Sequence, residues 1–269
     1  MTEITISWHL EQMAEKYKTK AALRFPAENV ALDYGSLKQC ADQTAKALLG
    51  IGLKKGDHIG IWSLNASRWV LLALGAAQIG VVFVPINAAY KRDELTYMVQ
   101  KMDINCLFVM DSIRGKSCLD RLEGFWKNGK LDNRAFPVLR DIYALSEKTL
   151  EDLKNWDCFL QHGEAVTDAQ LAQAKAQVTS KDIYSIQATS GTTAMPKGAQ
   201  LYQCGALYTA ECYAKRLHLE EADVSCVPLP LFHCFGNVLT LLCVKIQPLD
   251  QFTVGCIGEF HVVEVDIAF

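Results

Sequence analysis

An α/β fold, with parallel sheets layered with helices, is what this 269-residue sequence predicts, on three observations. Half of the residues are hydrophobic, enough for a sizeable core in one large domain or two small ones. Short, wholly apolar runs such as Val81–Val84 recur through the first half. Segments with helical spacing separate them. Continuous apolar strands alternating with helices point to a parallel sheet covered on both faces.

The elements follow in order. Ser36–Leu49 carries Leu37, Ala41, Ala45 and Leu48 at helical spacing. GIGLKKGD, punctuated by Gly52 and Gly56, is a turn, and Ile59–Trp62 is a short strand. Asn65 is expected to cap a helix that runs to about Ile79. The apolar run Trp69–Ile86 is long enough to raise a membrane-spanning reading. Gly75, Gln78, Gly80 and Pro85 interrupt it, so it parses instead as a buried helix ending near Gly80 and a strand over Val81–Val84. No transmembrane segment is expected. Arg92–Met102 reads as a helix and Asn105–Met110 as a buried strand. Residues 111–180 are less legible. KNGKLDNRAFP has the composition of a surface loop, and Ala169–Val178 that of a polar helix. Ile183–Ala188 is a strand and Gln203–Leu217 a helix. Cys226–Gly236, CVPLPLFHCFG, then leads into an apolar helix reaching about Val244.

Bulk properties exclude several classes. The net charge of −3 argues against a nucleic-acid partner, which needs clustered basic charge. The ten cysteines are scattered, with no Cys-x-x-Cys pair. Several, such as Cys40, Cys106 and Cys243, sit in apolar contexts. They are expected to be reduced, inert core residues of an intracellular protein, in cytoplasm or mitochondrion. The N-terminus carries Glu3, Glu11 and Glu15 and matches neither a secretory signal nor an Arg-rich transit peptide. Trp62 and Trp69 are expected in the core. His58, His162 and His261 belong to no visible constellation.

The chemistry concentrates in Ala188–Ala199, ATSGTTAMPKGA. Thr189, Ser190, Gly191, Thr192 and Thr193 offer hydroxyls and backbone N–H groups. Ala194 and Met195 follow, then Lys197 in a loop stiffened by Pro196 and released by Gly198. Such a loop suits oxygen-rich anions: N–H groups cradle phosphate oxygens and an ammonium neutralises their charge. It is neither a Walker A loop nor a dinucleotide fingerprint.

TSGTTAMPKGA resembles the signature of the AMP-forming adenylating enzymes, which include acyl-CoA synthetases, luciferases and the adenylation domains of peptide synthetases. The flanks resemble that family in order and spacing. LDYGSL (Leu32–Leu37), AAQIGVVFVPINAAYKRDEL (Ala76–Leu95), PLPLFHCFG (Pro228–Gly236), IGLKKGDHIGIW and SWHLEQMAEKY each match a family segment. INAAYKRDELTYMVQKMDINCLFV and PLFHCFG look most like the medium-chain fatty acyl-CoA synthetases.

The resemblance implies a ligase of fatty acid and lipid metabolism with two steps. A carboxylate attacks the α-phosphate of Mg-ATP to give an acyl-adenylate, and CoA then takes the acyl group. It implies that Thr189 through Lys197 bind nucleotide phosphates, with Thr189 also helping to hold Mg²⁺. It places His233 at the substrate carboxylate as the catalytic candidate, and Phe232, Phe235 and Gly236 on the acyl pocket. The expected partners are small molecules: ATP, a fatty acid and CoA. No Asp or Glu occurs from Val224 to Val244, so an α-ammonium would go unpaired there, which favours an apolar acid.

The sequence departs from the family twice. Ala194 stands where the family usually has Gly, at a cost on the order of 1 kcal/mol if φ there is positive. The family's downstream motifs and its C-terminal lid domain do not occur here. Residues 1–244 are therefore expected to be a partial adenylating domain, the incomplete large N-terminal domain of an acyl-CoA synthetase. Residues 245–269 are expected to be a divergent tail, with FHVVEVDIAF a strand or unrelated sequence. The 269-residue form is expected to be marginally stable, with little or no ligase activity. The alternatives are a catalytically inactive form and an adenylating enzyme for another acid class.

Overall fold

The computed structural model describes residues 4–113, 115–127, 130–146, 153–189, 196–221 and 223–242, and the backbone of 251–254. Helix α1, Ile6–Lys16, starts at Thr5, whose side chain accepts from the Trp8 amide. Strands β1 (Ala21–Phe25) and β2 (Val30–Asp33) pair antiparallel around a turn at Pro26–Glu28. Asp33 caps α2, Tyr34–Gly50, by accepting from the Ser36 amide at 2.7 Å. Then β3 (His58–Trp62), α3 (Ser67–Ile79), β4 (Val82–Ile86), α4 (Arg92–Lys101) and β5 (Ile104–Val109) alternate. Two small hairpins, β6 (Ser112–Ile113) with β7 (Lys116–Ser117) and β8 (Trp126–Lys127) with β9 (Lys130–Leu131), flank the short α5 (Leu119–Leu122). Next come β10 (Asp141–Ala144), α6 (Trp156–Gln161) and α7 (Asp168–Ala176), the last opened by a Thr167–Gln170 capping box. The chain continues with β11 (Ile183–Thr189), β12 (Lys197–Tyr202), α8 (Gln203–Arg216) and β13 (Val224–Val227). A π-helix, Phe235–Leu242, and β14 (Gln251–Val254) complete the described residues.

Six strands form the central sheet in the order β10-β5-β3-β4-β11-β12. Each neighbouring pair is parallel except β11–β12. Side chains alternate across it, so the sheet feeds two cores. Ile59, Ile61, Phe83 and Phe108 join the core of α2 and α3, whereas Val82, Val84, Leu107 and Val109 join Leu95, Met98 and Val99 of α4. This is the double cover that the apolar strands imply. The α2–α3 contact is close: a Cβ on Gly75 would lie 2.8 Å from the Thr44 side chain. A smaller mixed sheet runs β13-β14-β1-β2.

Most expected elements are present, with shifted ends. Strand β4 runs from Val82 to Ile86 rather than Val81 to Val84, and α8 ends at Arg216. Three expectations are corrected. First, Asn65 does not cap α3. The N-cap is Ala66, and Glu28 does the work instead, accepting from the Ser67 amide at 3.1 Å and from its hydroxyl at 2.5 Å. Asn65 is engaged elsewhere. Second, the cysteines are not mainly core residues. Cys106 and Cys118 are buried and Cys40 is half-buried, but Cys158, Cys204, Cys212, Cys226 and Cys234 are exposed; all are free thiols. Third, the surface loop contains the β8–β9 hairpin and contributes buried Phe136. Trp62 and Trp69 are in the core as expected. Cys243, His261 and FHVVEVDIAF lie outside the described residues.

Candidate functional site

Four parallel strands end at one edge of the central sheet. Trp62 of β3 pairs with Ile86 of β4 and Val109 of β5, and β11 runs parallel to β4 toward Thr189. In open α/β sheets the loops beyond the carboxyl ends are where ligands bind. Here those loops enclose a cavity of about 410 Å³. Leu64 and Asn65 follow β3, Asn87 and Ala88 follow β4, and Lys116 and Arg121 follow β5. Pro230 and Phe232 close the opposite wall. Arg121 donates to the Tyr90 carbonyl at 3.0 Å, and its guanidinium lies 5.6 Å from the Trp62 ring. Lys116 and Arg121 give this apolar hollow two cations.

Asn65 fixes the far wall. Its Nδ2 donates to the Leu229 carbonyl and its Oδ1 accepts from the Leu231 amide, each at 2.8 Å. Both halves of one carboxamide thus hold the Pro-Leu-Pro-Leu segment against the β3–α3 connection.

Three of the phosphate-loop candidates, Thr189, Pro196 and Lys197, lie where β11 ends and β12 begins. Thr189 and Lys197 face each other across the β11–β12 ladder, and Thr189 Oγ1 donates to the Lys197 carbonyl at 3.2 Å. The Tyr97 hydroxyl donates to the Pro196 carbonyl at 3.3 Å, tying the start of β12 to α4. Lys197 is exposed. Ser190, Gly191, Thr192, Thr193, Ala194 and Met195 lie outside the described residues, so the Ala194 departure does too.

The four candidates after β13 divide. Phe232 is half-buried, lines the cavity and packs against the His233 ring at 4.5 Å. His233 is exposed; its amide donates to the Pro230 carbonyl at 3.1 Å. Phe235 turns away from the cavity lining and meets Tyr213 of α8 edge-on at 5.9 Å. Gly236 is buried, and a Cβ there would lie 2.4 Å from the Pro230 carbonyl oxygen. That contact is with backbone, which cannot swing aside, so only glycine fits. Partial desolvation raises the pKa of the Cys234 thiol above its ordinary value although the residue is exposed.

The metal candidate is a single hydroxyl. Among the described residues no three His, Cys, Asp or Glu side chains cluster to hold a metal ion, and Thr189 Oγ1 already bonds Lys197. A magnesium ion there would depend on nucleotide oxygens and water for its remaining ligands.

Residues 10–247 match the AMP-binding enzyme family. The chain belongs to that family. It is 34% identical over 259 residues to YngI of Bacillus subtilis (strain 168), named as an acyl-CoA synthetase, covering 92% of this chain and 47% of YngI. It is 31% identical over 252 residues to the human mitochondrial medium-chain acyl-CoA ligase ACSF2, covering 89% of this chain and 41% of that protein. The anthranilate CoA ligase AuaEII, solved with anthranoyl-AMP, shares the fold with a TM-score of 0.81 at 23% identity, over 96% of this chain and 46% of AuaEII. The chain therefore spans about half the length of the curated relatives it matches. The expected α/β architecture and acyl-CoA synthetase resemblance both hold. Among the described residues no helix is long and apolar enough to cross a membrane.

Sequence reading missed the Asn65 carboxamide, the two cations of the cavity and strand β12. A bond between residues 65 and 231 leaves no local periodicity to detect.

Proposed function

We propose that this chain carries the nucleotide-phosphate and acyl-recognition parts of an AMP-forming acid–thiol ligase, one that activates an apolar carboxylic acid and passes the acyl group to CoA. The carrying observation is the shared sheet edge: the Thr189–Lys197 hairpin and the cavity walled by Phe232 lie at the ends of adjacent parallel strands. On this reading residues 1–244 form part of the adenylating domain, and residues 245–269 diverge from it.

The chemistry asks for positioning and charge neutralisation rather than covalent help. Thr189 through Lys197 would hold the phosphates of ATP, with the Lys197 ammonium offsetting their charge. His233 and Phe232 would flank the reacting carboxylate. Gly236 would shape the acyl side by allowing close approach of the Pro230 backbone, and Phe235, seated against Tyr213 of α8, would border it from the π-helix. Lys116 and Arg121 offer charge for the anionic groups of the acid or of CoA. The free thiols fit an intracellular protein of cytoplasm or mitochondrion.

A medium-chain fatty acid is the favoured substrate. The absence of Asp and Glu between Val224 and Val244 supports an apolar acid, and ACSF2 is named for medium-chain acids. AuaEII is named for an aromatic acid, so fold alone does not separate the two.

Calorimetry with octanoyl-, anthraniloyl- and aspartyl-sulfamoyl-adenosine tests the reading. The octanoyl compound is expected to bind most tightly. Preference for the aspartyl compound would overturn the apolar-acid assignment, and binding of none would overturn adenylation for this chain.

A further inference from the structure

A buried side-chain hydrogen bond joins the strand that delivers Thr189 to the helix that follows His233. Tyr184 on β11 is 1% exposed and Asn237 in the π-helix is 0% exposed. The Tyr184 hydroxyl donates to Asn237 Oδ1 at 2.7 Å. Burial holds that hydroxyl well above its usual pKa range, so it stays a neutral donor. The Asn237 backbone N–H donates to the His233 carbonyl at 3.0 Å.

Packing alone does not account for this pair. Asn237 Nδ2 is buried with no partner. An unpaired buried amide is unfavourable, and an apolar side chain would fill the space without that penalty. The helix winding is also unusual. π-turns are rare and concentrate at functional sites. Here Thr240 Oγ1 donates to the Gly236 carbonyl at 2.5 Å and the Phe235 carbonyl at 3.2 Å, which helps to hold the wide turn. Tyr184 supplies a further restraint, from the central sheet.

We infer that Tyr184 and Asn237 form a positioning pair, tying the winding of the Phe235–Leu242 helix to the order of the phosphate hairpin. Occupation of the acyl side is then felt at Thr189 and Lys197. The ligands rest on the adenylation reading above; the coupling itself does not.

Hydrogen–deuterium exchange on the purified full chain tests it, comparing wild type, Tyr184→Phe and Leu171→Val. Leu171 is buried on α7, which packs on α2 and α3, and serves as the packing control. Tyr184→Phe is expected to speed exchange about fivefold in segments 183–189, 197–202 and 231–242 together. Leu171→Val is expected to leave all three at wild-type rates. A response confined to 231–242, or none, would overturn the coupling. Should Tyr184→Phe fail to fold, Asn237→Ser carries the same comparison. A second arm adds octanoyl-sulfamoyl-adenosine, expected to protect hairpin and helix in wild type but to lose about half of the hairpin protection in Tyr184→Phe. If it protects no segment of the wild type, the adenylation reading fails, and ligand-free exchange alone decides the coupling.

Discussion

Two regions of the molecule handle apolar surface in opposite ways. In the block from α2 to β5 the helices and strands bury one another: Ala41, Ala45, Trp69 and Phe108 are fully enclosed. In the region from β12 to the π-helix, Tyr208 is 68% exposed, Val224 55% and Phe235 43%. Four of the exposed cysteines, Cys204, Cys212, Cys226 and Cys234, lie there as well. The first region is a scaffold whose stability comes from its own packing. The second holds the site candidates and is shaped by individual side-chain bonds, such as those of Asn65 and Tyr184.

The sharpest way to break this contrast is Trp69→Ala. The ring meets Phe83 edge-on at 4.7 Å and is wholly buried. Its loss is expected to cost roughly 3–5 kcal/mol, read by urea denaturation. A loss below about 1 kcal/mol would show that the scaffold is not a packed unit.

Gly236→Ala probes the other region. Its new methyl meets Pro230 backbone, and overpacking of this kind costs roughly 1–3 kcal/mol. The expected signature is a modest drop in stability with a much larger loss of octanoyl-sulfamoyl-adenosine binding. Equal loss of stability and unchanged binding would place Gly236 with the scaffold instead.

Asp33→Ala is expected to have the smallest effect, about 1 kcal/mol at neutral pH, because a helix cap is lost. Hydrogen bonding from the Ser36 amide lowers the Asp33 pKa below its ordinary 3.8. A carboxylate depressed on folding contributes above its unfolded pKa and loses that contribution as pH falls through the folded value. The difference between wild type and Asp33→Ala should therefore shrink below pH 3.8. A gap that stays constant into acid would mean that the capping bond does not involve the carboxylate.

The scaffold was legible and the site region only partly so. Helices α2 and α3 and strands β3 to β5 show because each buries a continuous apolar stretch or a helical stripe. Strand β12, KGAQLY, is an exposed edge strand and carries no such pattern. The small sheet is harder still, since β1 pairs with β14 across most of the chain, Arg24 to Thr253. Within the site, motif order located the Thr189–Lys197 segment and Phe232. The tasks of Asn65 and Tyr184 are set by residues remote in sequence, Leu231 and Asn237, and neither side chain advertises its partner. Asn65 stands just before an apolar helix, a good place for a cap, but Glu28 reaches the Ser67 amide from another turn.

The antiparallel pairing of Thr189 with Lys197 fixes more than a distance. Faces alternate along a strand, so sliding β12 by one residue against β11 would turn Lys197 to the opposite side of the sheet, and sliding by two would restore it. The register of the ladder therefore decides which side of the sheet carries the ammonium.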